Sequence, residues 1–122
     1  MVVSLDGATA VSGRSGGLGS PADHRVFHLL RALTDVVLVG AGTVRVEKYG
    51  PARVPEEVAA SRREAGRTPV PRIAVVSGSL QLDLEGRLFS EAHPEARPIV
   101  LTAASCPSER RAAVEEVAEV VV

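Results

Sequence analysis

The chain has 122 residues, enough for one domain with a hydrophobic core of its own. Its net charge is −1, with acidic and basic residues interspersed and no basic cluster beside aromatic residues, which argues against a nucleic-acid or anionic-membrane partner. Cys106 is the only cysteine, so an internal disulfide and a cysteine-based zinc site are excluded. No apolar run approaches transmembrane length, and we predict a cytoplasmic protein.

The first residues predict a strand, its turn and a glycine-rich loop. Residues 2–5 form a short apolar strand, and Asp6 with Gly7 ends it. Asp6 is either a side chain that caps the turn or a proton carrier at the carboxyl end of the strand. Four of the eight residues 13–20 are glycine, and such a loop lets a ligand approach the backbone closely.

Ser15 lies in this loop within a Gly-x-Ser-x-Gly string, which is the pattern of a hydrolase nucleophile. That motif needs a strand directly before the serine and a helix directly after it, and here a loose loop surrounds residues 13–17. We therefore predict that Ser15 forms hydrogen bonds to a ligand and is not a nucleophile.

The first helix is predicted to begin at Ser20. Ser20 suits the N-cap, Pro21 the first helical position and Asp23 the acidic position of a capping box. An apolar face follows at helical spacing, and it consists of Val26, Phe27, Leu29, Leu30 and Leu33.

Three polar residues of this helix are candidates for ligand binding. His24 and His28 have the spacing of zinc ligands, but Arg25 stands where a zinc protease has its glutamate and no third ligand is evident. We interpret both histidines as surface residues and predict no metal site. Arg31 is either a surface charge or an anion clamp, because a guanidinium binds phosphate through two hydrogen bonds.

The stretch 35–47, DVVLVGAGTVRVE, is central to the predicted fold. Residues 36–39 form an uninterrupted apolar run, which predicts a strand buried on both faces in the interior of a sheet. Gly40 and Gly42 break the run, and Thr43 opens a helix. A strand, a glycine turn and a helix start place free backbone N–H groups where a phosphate can bind. An ordinary tight turn is the alternative, because the third glycine of a dinucleotide fingerprint and the lysine of a P-loop are absent.

The rest of the chain alternates helical and strand patterns. Residues 55–66 predict a surface helix or a mobile loop, and the arginine pairs at 62–63 and 110–111, each flanked by glutamates, are interpreted as solvated helix faces. Residues 72–77 and 98–102 predict buried strands, residues 105–117 a helix and residues 118–122 another strand.

This alternation predicts an α/β fold with a mostly parallel sheet and helices on both faces. Ligands bind beyond the carboxyl ends of the strands in such sheets, and Asp6-Gly7, residues 40–43 and residues 77–79 all follow predicted strands. This convergence favours the phosphate-binding interpretation of the glycine turn.

Together these residues resemble the reductase domain of riboflavin biosynthesis, whose fold is that of dihydrofolate reductase. The match consists of Ser4-Leu5-Asp6-Gly7 with Ala10, Gly13-Arg14-Ser15, Leu29-Leu30-Arg31-Ala32 and residues 35–43, in order and at family-like spacing. Beyond Ser77 the resemblance is limited to the rhythm of strands and helices.

The resemblance implies an NADPH-dependent enzyme that reduces the ribosyl group of a phosphorylated aminopyrimidine, of the 5-amino-6-(5-phosphoribosylamino)uracil type, to a ribityl group. It implies substrate contacts from Ser15 and Arg31, with Arg31 on the phosphate, and Asp6 is the candidate proton relay. Hydride would pass to the sugar C1′ after ring opening, with the protein supplying orientation and electrostatics. The implied cofactor contacts are Val2, Val3, Gly17, Gly40, Gly42, Thr43, Glu47 and Ser77. Among these, Thr43 would bind a phosphate and Ser77 would lie near the 2′-phosphate.

The sequence departs from the family pattern in three ways. Gly17 stands where many members carry an aromatic residue beside the cofactor. The ligands of the zinc deaminase domain found in bifunctional relatives are absent. The family's second glycine-rich loop and its substrate-facing glutamate would come after Val122. We therefore expect residues 1–122 to be the N-terminal part of a single reductase domain, incomplete at its C-terminus and inactive alone.

Two other functions fit the same residues. One is a different reductase of this fold, acting on a pterin or another carbonyl or imine, since a fold does not fix a substrate. The other is a non-catalytic module or fragment that binds nucleotide phosphates. We expect the intact protein to form a homodimer, because family members pair their subunits and an incomplete sheet exposes apolar surface.

Overall fold

The computed structural model describes residues 20–122, which form five helices and four strands. The helices are α1 (Pro21–Leu33), α2 (Ala41–Val46), α3 (Glu56–Glu64), α4 (Arg87–Ser90) and α5 (Ser108–Glu115). The strands are β1 (Val36–Gly40), β2 (Arg72–Val76), β3 (Ile99–Leu101) and β4 (Glu119–Val121), and the order along the chain is α1-β1-α2-α3-β2-α4-β3-α5-β4. The first strand, Asp6 and the glycine-rich loop fall outside the described residues, as do the predicted site residues Val2, Val3, Ser15 and Gly17.

The four strands form one sheet in the order β1-β2-β3-β4, and each neighbouring pair is parallel. This confirms the predicted α/β architecture with a parallel sheet. Within residues 20–122, however, β1 pairs with β2 alone and stands at the end of the strand order, not in the interior. Its exposure also alternates, with Val36 and Leu38 exposed and Val37 and Val39 half-buried. The prediction of a strand buried on both faces was therefore wrong, because Val36 and Leu38 are exposed. The interior position of β1 stays a prediction, since the predicted strand at residues 2–5 lies outside the described residues.

The hydrophobic core lies on one face of this sheet. The pairing register brings Val39, Val75, Val100 and Val120 side by side, and Val75 and Val100 are fully buried. Side chains from α2, α4 and α5 cover them, and the best buried of these are Leu88, Phe89 and Val114. Ala118, between α5 and β4, is also buried in this core. Burial of this apolar surface is the main force that holds the helices to the sheet.

The opposite face of the sheet carries exposed apolar side chains. Val36, Leu38, Val76 and Val121 share this face by register, and each is at least 41% exposed. Ala74 also lies on this face and is buried, but it does not belong to the core cluster. Over residues 20–122, the helices α2, α4 and α5, which build the core, cover the face that carries Val75 and Val100.

Helix α1 begins as predicted. The Ser20 hydroxyl accepts a hydrogen bond from the Asp23 N–H at 3.1 Å, and Pro21 occupies the first turn. Its predicted apolar face is not buried, because every residue of that face is between 47% and 65% exposed. Burial of apolar side chains therefore does not explain the position of α1.

Two arginines from the region of α3 hold the C-terminal end of α1. Arg62 donates to the carbonyls of Ala32 and Thr34 at 2.8 and 2.9 Å, and also to the Thr68 carbonyl at 2.8 Å. Arg67 donates to the Leu33 carbonyl at 2.8 Å and pairs with Asp35. Cations are favourable at a helix C-terminus, where carbonyl groups lack helical partners.

The solvated interpretation of the arginine pair 62–63 was wrong for its first member. Arg62 is only 3% exposed, whereas Arg63 reaches solvent and pairs with Glu56 and Glu95. Burial, with a contribution from the charge of Arg67, lowers the pKa of Arg62. The helical alternative for residues 55–66 is confirmed, since α3 spans Glu56–Glu64 and Gly66, just after its C-cap Ala65, has a left-handed conformation, φ +75°.

Candidate functional site

The glycine turn between β1 and α2 is open to a ligand. The strand runs through Gly40, and the helix begins at Ala41, two residues before the predicted start at Thr43. Gly40 is the N-cap and has no side chain to accept the first helical N–H groups, so those of residues 41–43 have no acceptor within the helix. A Cβ atom on Gly40 or Gly42 would meet no atom within 4 Å, and the Thr43 side chain is exposed. The turn can therefore accept a phosphate group at its backbone.

A second ligand-sized space follows the carboxyl ends of β2 and β3. A cavity of about 360 Å³ is lined by Val76, Gly78, Leu101, Thr102 and Ala103. The Thr102 hydroxyl is buried and has no hydrogen-bond partner among the described residues. An unpartnered buried hydroxyl is costly, so a ligand that reaches it would relieve that cost. Sequence reasoning missed Thr102, although it is the last residue of the predicted strand 98–102.

Ser77 lies at the same edge, but its side chain turns inward. It is 5% exposed, and its hydroxyl oxygen accepts a hydrogen bond from the Leu80 N–H at 3.1 Å. This bond stabilises a turn in which Leu80 has a left-handed backbone, φ +56°. Gly40 pairs with Val76, so the turns after β1 and β2 are adjacent, as predicted from the carboxyl-end rule.

Arg31 projects into a cavity of about 340 Å³ beside the end of α2. The cavity is lined by His28, Arg31, Glu47, Lys48, Tyr49, Gly50, Pro51, Arg53 and Arg87. The guanidinium carbon of Arg31 lies 5.2 Å from the centre of the Tyr49 ring and 5.5 Å from that of Phe27. Its Nε is buried and has no acceptor among the described residues. Two aromatic rings thus contact this guanidinium by cation–π attraction.

The structure places Arg31 and Glu47 in the lining of the same cavity. The other predicted site residues that it describes lie in the turns after β1 and β2, namely Gly40, Gly42, Thr43 and Ser77. Glu47 is the C-cap of α2, and its N–H donates to the Thr43 carbonyl at 2.9 Å. His28 lines the cavity too, so it is not only a surface residue. Across residues 20–122, no group of three or more His, Cys, Asp or Glu side chains is arranged to hold a metal ion. In the same part of the chain, no helix is long and apolar enough to cross a membrane.

Comparison with known proteins places this geometry in a family. Residues 1–122 match the sequence profile described as the RibD C-terminal domain. The 2,5-diamino-6-ribosylamino-4(3H)-pyrimidinone 5′-phosphate reductase of Archaeoglobus fulgidus is 30% identical over 123 residues, which cover 100% of this chain and 55% of that protein.

Solved structures agree. A pyrimidine reductase-like protein from Corynebacterium diphtheriae superposes with a TM-score of 0.80 at 32% identity, covering 99% of this chain and 52% of the other. A bifunctional deaminase and 5-amino-6-(5-phosphoribosylamino)uracil reductase from Thermotoga maritima gives 0.62 at 23% identity, covering 98% and 30%. The chain thus spans about half the length of the first two relatives. These matches confirm both the resemblance inferred from the sequence and the dihydrofolate reductase-like fold.

Proposed function

Because the chain belongs to the RibD C-terminal domain family, we propose that the protein is an NADPH-dependent pyrimidine reductase of riboflavin biosynthesis. It reduces the ribosyl group of a phosphorylated aminopyrimidine to a ribityl group. The observation that carries the proposal is the charged Arg31 guanidinium, held by two rings in a cavity that it shares with Glu47. An enzyme for a phosphorylated substrate needs such a positioned cation.

Arg31 binds the substrate phosphate in this proposal. The Tyr49 and Phe27 rings fix the plane of the guanidinium, so less side-chain freedom is lost when two parallel hydrogen bonds form to phosphate oxygens. Of the two interpretations of Arg31, the cavity favours the anion clamp over the surface charge. Ser15 is proposed as a second substrate contact and Asp6 as the proton relay.

We propose that the cofactor occupies the two spaces at the carboxyl edge of the sheet. The open Gly40–Gly42 backbone and the exposed Thr43 hydroxyl suit the pyrophosphate. The unpartnered Thr102 hydroxyl suits the adenosine end. Ser77 is proposed near the 2′-phosphate, although its own hydroxyl is buried and holds the turn to Leu80. We propose further contacts from Glu47, Val2, Val3 and Gly17. NADPH supplies the hydride when bound, and these residues orient it and bind its charged groups.

A homodimer and a cytoplasmic location complete the proposal. The exposed apolar face of α1 supports dimerisation, since a contiguous apolar patch of this kind commonly marks a protein–protein interface. The cytoplasmic location stays a prediction from the single cysteine.

The experiment compares cofactor binding by the wild type and Thr43→Val. Valine keeps the shape of threonine and removes its donor, so the loss of one hydrogen bond to a charged group should weaken NADPH binding by about 1.5–3 kcal/mol, or roughly ten- to a hundredfold. Fluorescence titration measures this, with NADH on the wild type as a second ligand. Thr68→Val is the matched control, because the Thr68 hydroxyl donates to the Val70 carbonyl, away from the turn.

The possible outcomes separate the parts of the proposal. Equal affinity for NADPH and NADH removes the 2′-phosphate contact, and an unchanged Thr43→Val variant removes Thr43 from the cofactor site. NADPH binding without oxidation in the presence of the phosphorylated aminopyrimidine leaves a non-catalytic nucleotide-binding protein or a reductase with another substrate.

A further inference from the structure

The cavity around Arg31 carries more positive charge than one phosphate clamp needs. Four cations line it, namely Arg31, Lys48, Arg53 and Arg87. Two carboxylates face them, that of Glu47 in the lining and that of Glu91, which pairs with Arg53 and Arg87. The whole chain has a net charge of −1, so this concentration is local. A surface of this kind attracts anions and binds them more tightly than isolated side chains do.

Arg87 is held in this cavity from two directions. Its Nε pairs with Glu91 one helical turn later, at 3.2 Å, and Glu91 also pairs with Arg53 at 3.3 Å. The Arg87 guanidinium lies directly against Gly50, since a Cβ atom on Gly50 would be 3.1 Å from its Nη2 and 3.3 Å from its Cζ. The terminal nitrogens of Arg87 have no hydrogen-bond acceptor in the part of the chain that the structure describes.

The backbone between α2 and Gly50 supports this arrangement. Lys48 has a left-handed conformation, φ +48°, which is uncommon for a residue with a side chain. The Tyr49 N–H donates to the Val44 carbonyl at 3.0 Å, which closes the turn. Consecutive residues of this turn thus contact both arginines, Tyr49 through its ring under Arg31 and Gly50 through its packing against Arg87. Backbone strain of this kind often marks a functional site.

We propose that Arg87 is a specificity-determining residue that binds the substrate phosphate together with Arg31, which lines the same cavity. This inference rests on the proposed function, in which Arg31 binds that phosphate. The Glu91 carboxylate orients Arg87 through Nε and leaves its terminal nitrogens for the ligand. Two guanidiniums bind the dianionic form of a phosphomonoester and discriminate against the same sugar without phosphate.

The test measures the binding of ribose 5-phosphate and of ribose by calorimetry. Arg87→Gln should weaken ribose 5-phosphate binding about tenfold, because one charged donor to the phosphate is lost, and should leave ribose unchanged. Gly50→Ala keeps every charge but displaces the guanidinium by a few tenths of an ångström, and should weaken binding about two- to threefold. Arg111→Gln is the matched control, since Arg111 forms the same i,i+4 pair with Glu115 at 2.9 Å and lies outside the cavity.

Other variants separate this inference from the proposed function. If Arg31→Gln loses ribose 5-phosphate while Arg87→Gln and Gly50→Ala retain it, the role of Arg87 is overturned and the proposed function stands. If wild type does not discriminate ribose 5-phosphate from ribose, the proposed substrate site and the role of Arg87 both fail. Adenosine 2′-phosphate is the cofactor probe, and a loss of its binding in Arg87→Gln would assign Arg87 to the cofactor and overturn the inference.

Discussion

Helices α1 and α5 are both amphipathic, but different interactions hold them in place. Helix α5 buries Val114, which is 1% exposed, and Ala118 follows it into the same core beside β3 and β4. Helix α1 buries none of its residues and is held at its C-terminal end by hydrogen bonds from Arg62 and Arg67. Apolar periodicity therefore shows that a helix face can be buried, and it does not show what covers it.

The difference bears on function because α1 carries Arg31. A helix held by apolar packing moves with the core, whereas one held by a few hydrogen bonds can shift with little loss of buried apolar surface. The position of Arg31, which we propose binds the substrate phosphate, then depends on Arg62, a residue 31 positions along the chain that is not itself proposed to contact a ligand. Substitutions in the core and at Arg62 test this comparison.

The largest effect is expected from Leu88→Ala in the packed core. Leu88 is 2% exposed and lies among the side chains that cover β2 and β3, so its truncation should lower the free energy of unfolding by about 2–5 kcal/mol. Urea denaturation followed by circular dichroism measures this. Leu33→Ala on α1, where Leu33 is 65% exposed, is the control and should cost less than about 0.5 kcal/mol. Equal losses in the two variants would contradict the contrast between the regions.

Arg62→Met should lower the free energy of unfolding less than Leu88→Ala does, but it should destabilise α1 more than the sheet. Methionine fills similar space but leaves the carbonyls of Ala32, Thr34 and Thr68 without their donor, which should cost about 2–3 kcal/mol. Hydrogen exchange should show α1 losing protection before the sheet does. Arg63→Met is the control on the same helix, and its exposed ion pairs at 3.6 Å should contribute less than about 1 kcal/mol. Uniform loss of protection would show that α1 is part of the core.

The sequence predicted the elements with strong local signals. The Ser20 cap, the apolar strands and the parallel order follow from hydrogen-bonding side chains and from periodicity, which act within a few residues. The start of α2 was misplaced by two residues because Gly40 both ends the strand and caps the helix. The exposure of Val36 and Leu38 was missed because burial depends on contacts with distant residues, which an apolar run does not encode.

The site was predicted only in part for the same reason. Arg31 and Glu47 come from two different elements, and the resemblance to a family, not local pattern, brought them together. Arg87 lies far along the chain in a four-residue helix, and Thr102 has an unpartnered hydroxyl only in the folded structure. The burial of Arg62 was missed because the glutamates in α3 gave the appearance of a solvated face, while its acceptors lie on α1 and at Thr68.

The smallest change in the free energy of unfolding is expected from Leu29→Gln, a substitution on the exposed apolar face of α1. Leu29 is 64% exposed, so a polar side chain there should change the free energy of unfolding by less than about 0.5 kcal/mol at low protein concentration. The matched substitution on α5, Val114→Gln, buries an amide in the core and should cost about 3 kcal/mol or more. If the apolar face of α1 is the proposed dimer contact, Leu29→Gln should also weaken association measured by sedimentation velocity while leaving the unfolding of the monomer unchanged. If the dilute Leu29→Gln variant instead loses more than about 2 kcal/mol of its free energy of unfolding, other residues of the same chain cover this face of α1. The hydrogen bonds from Arg62 and Arg67 would then contribute less to the position of α1 than apolar packing does.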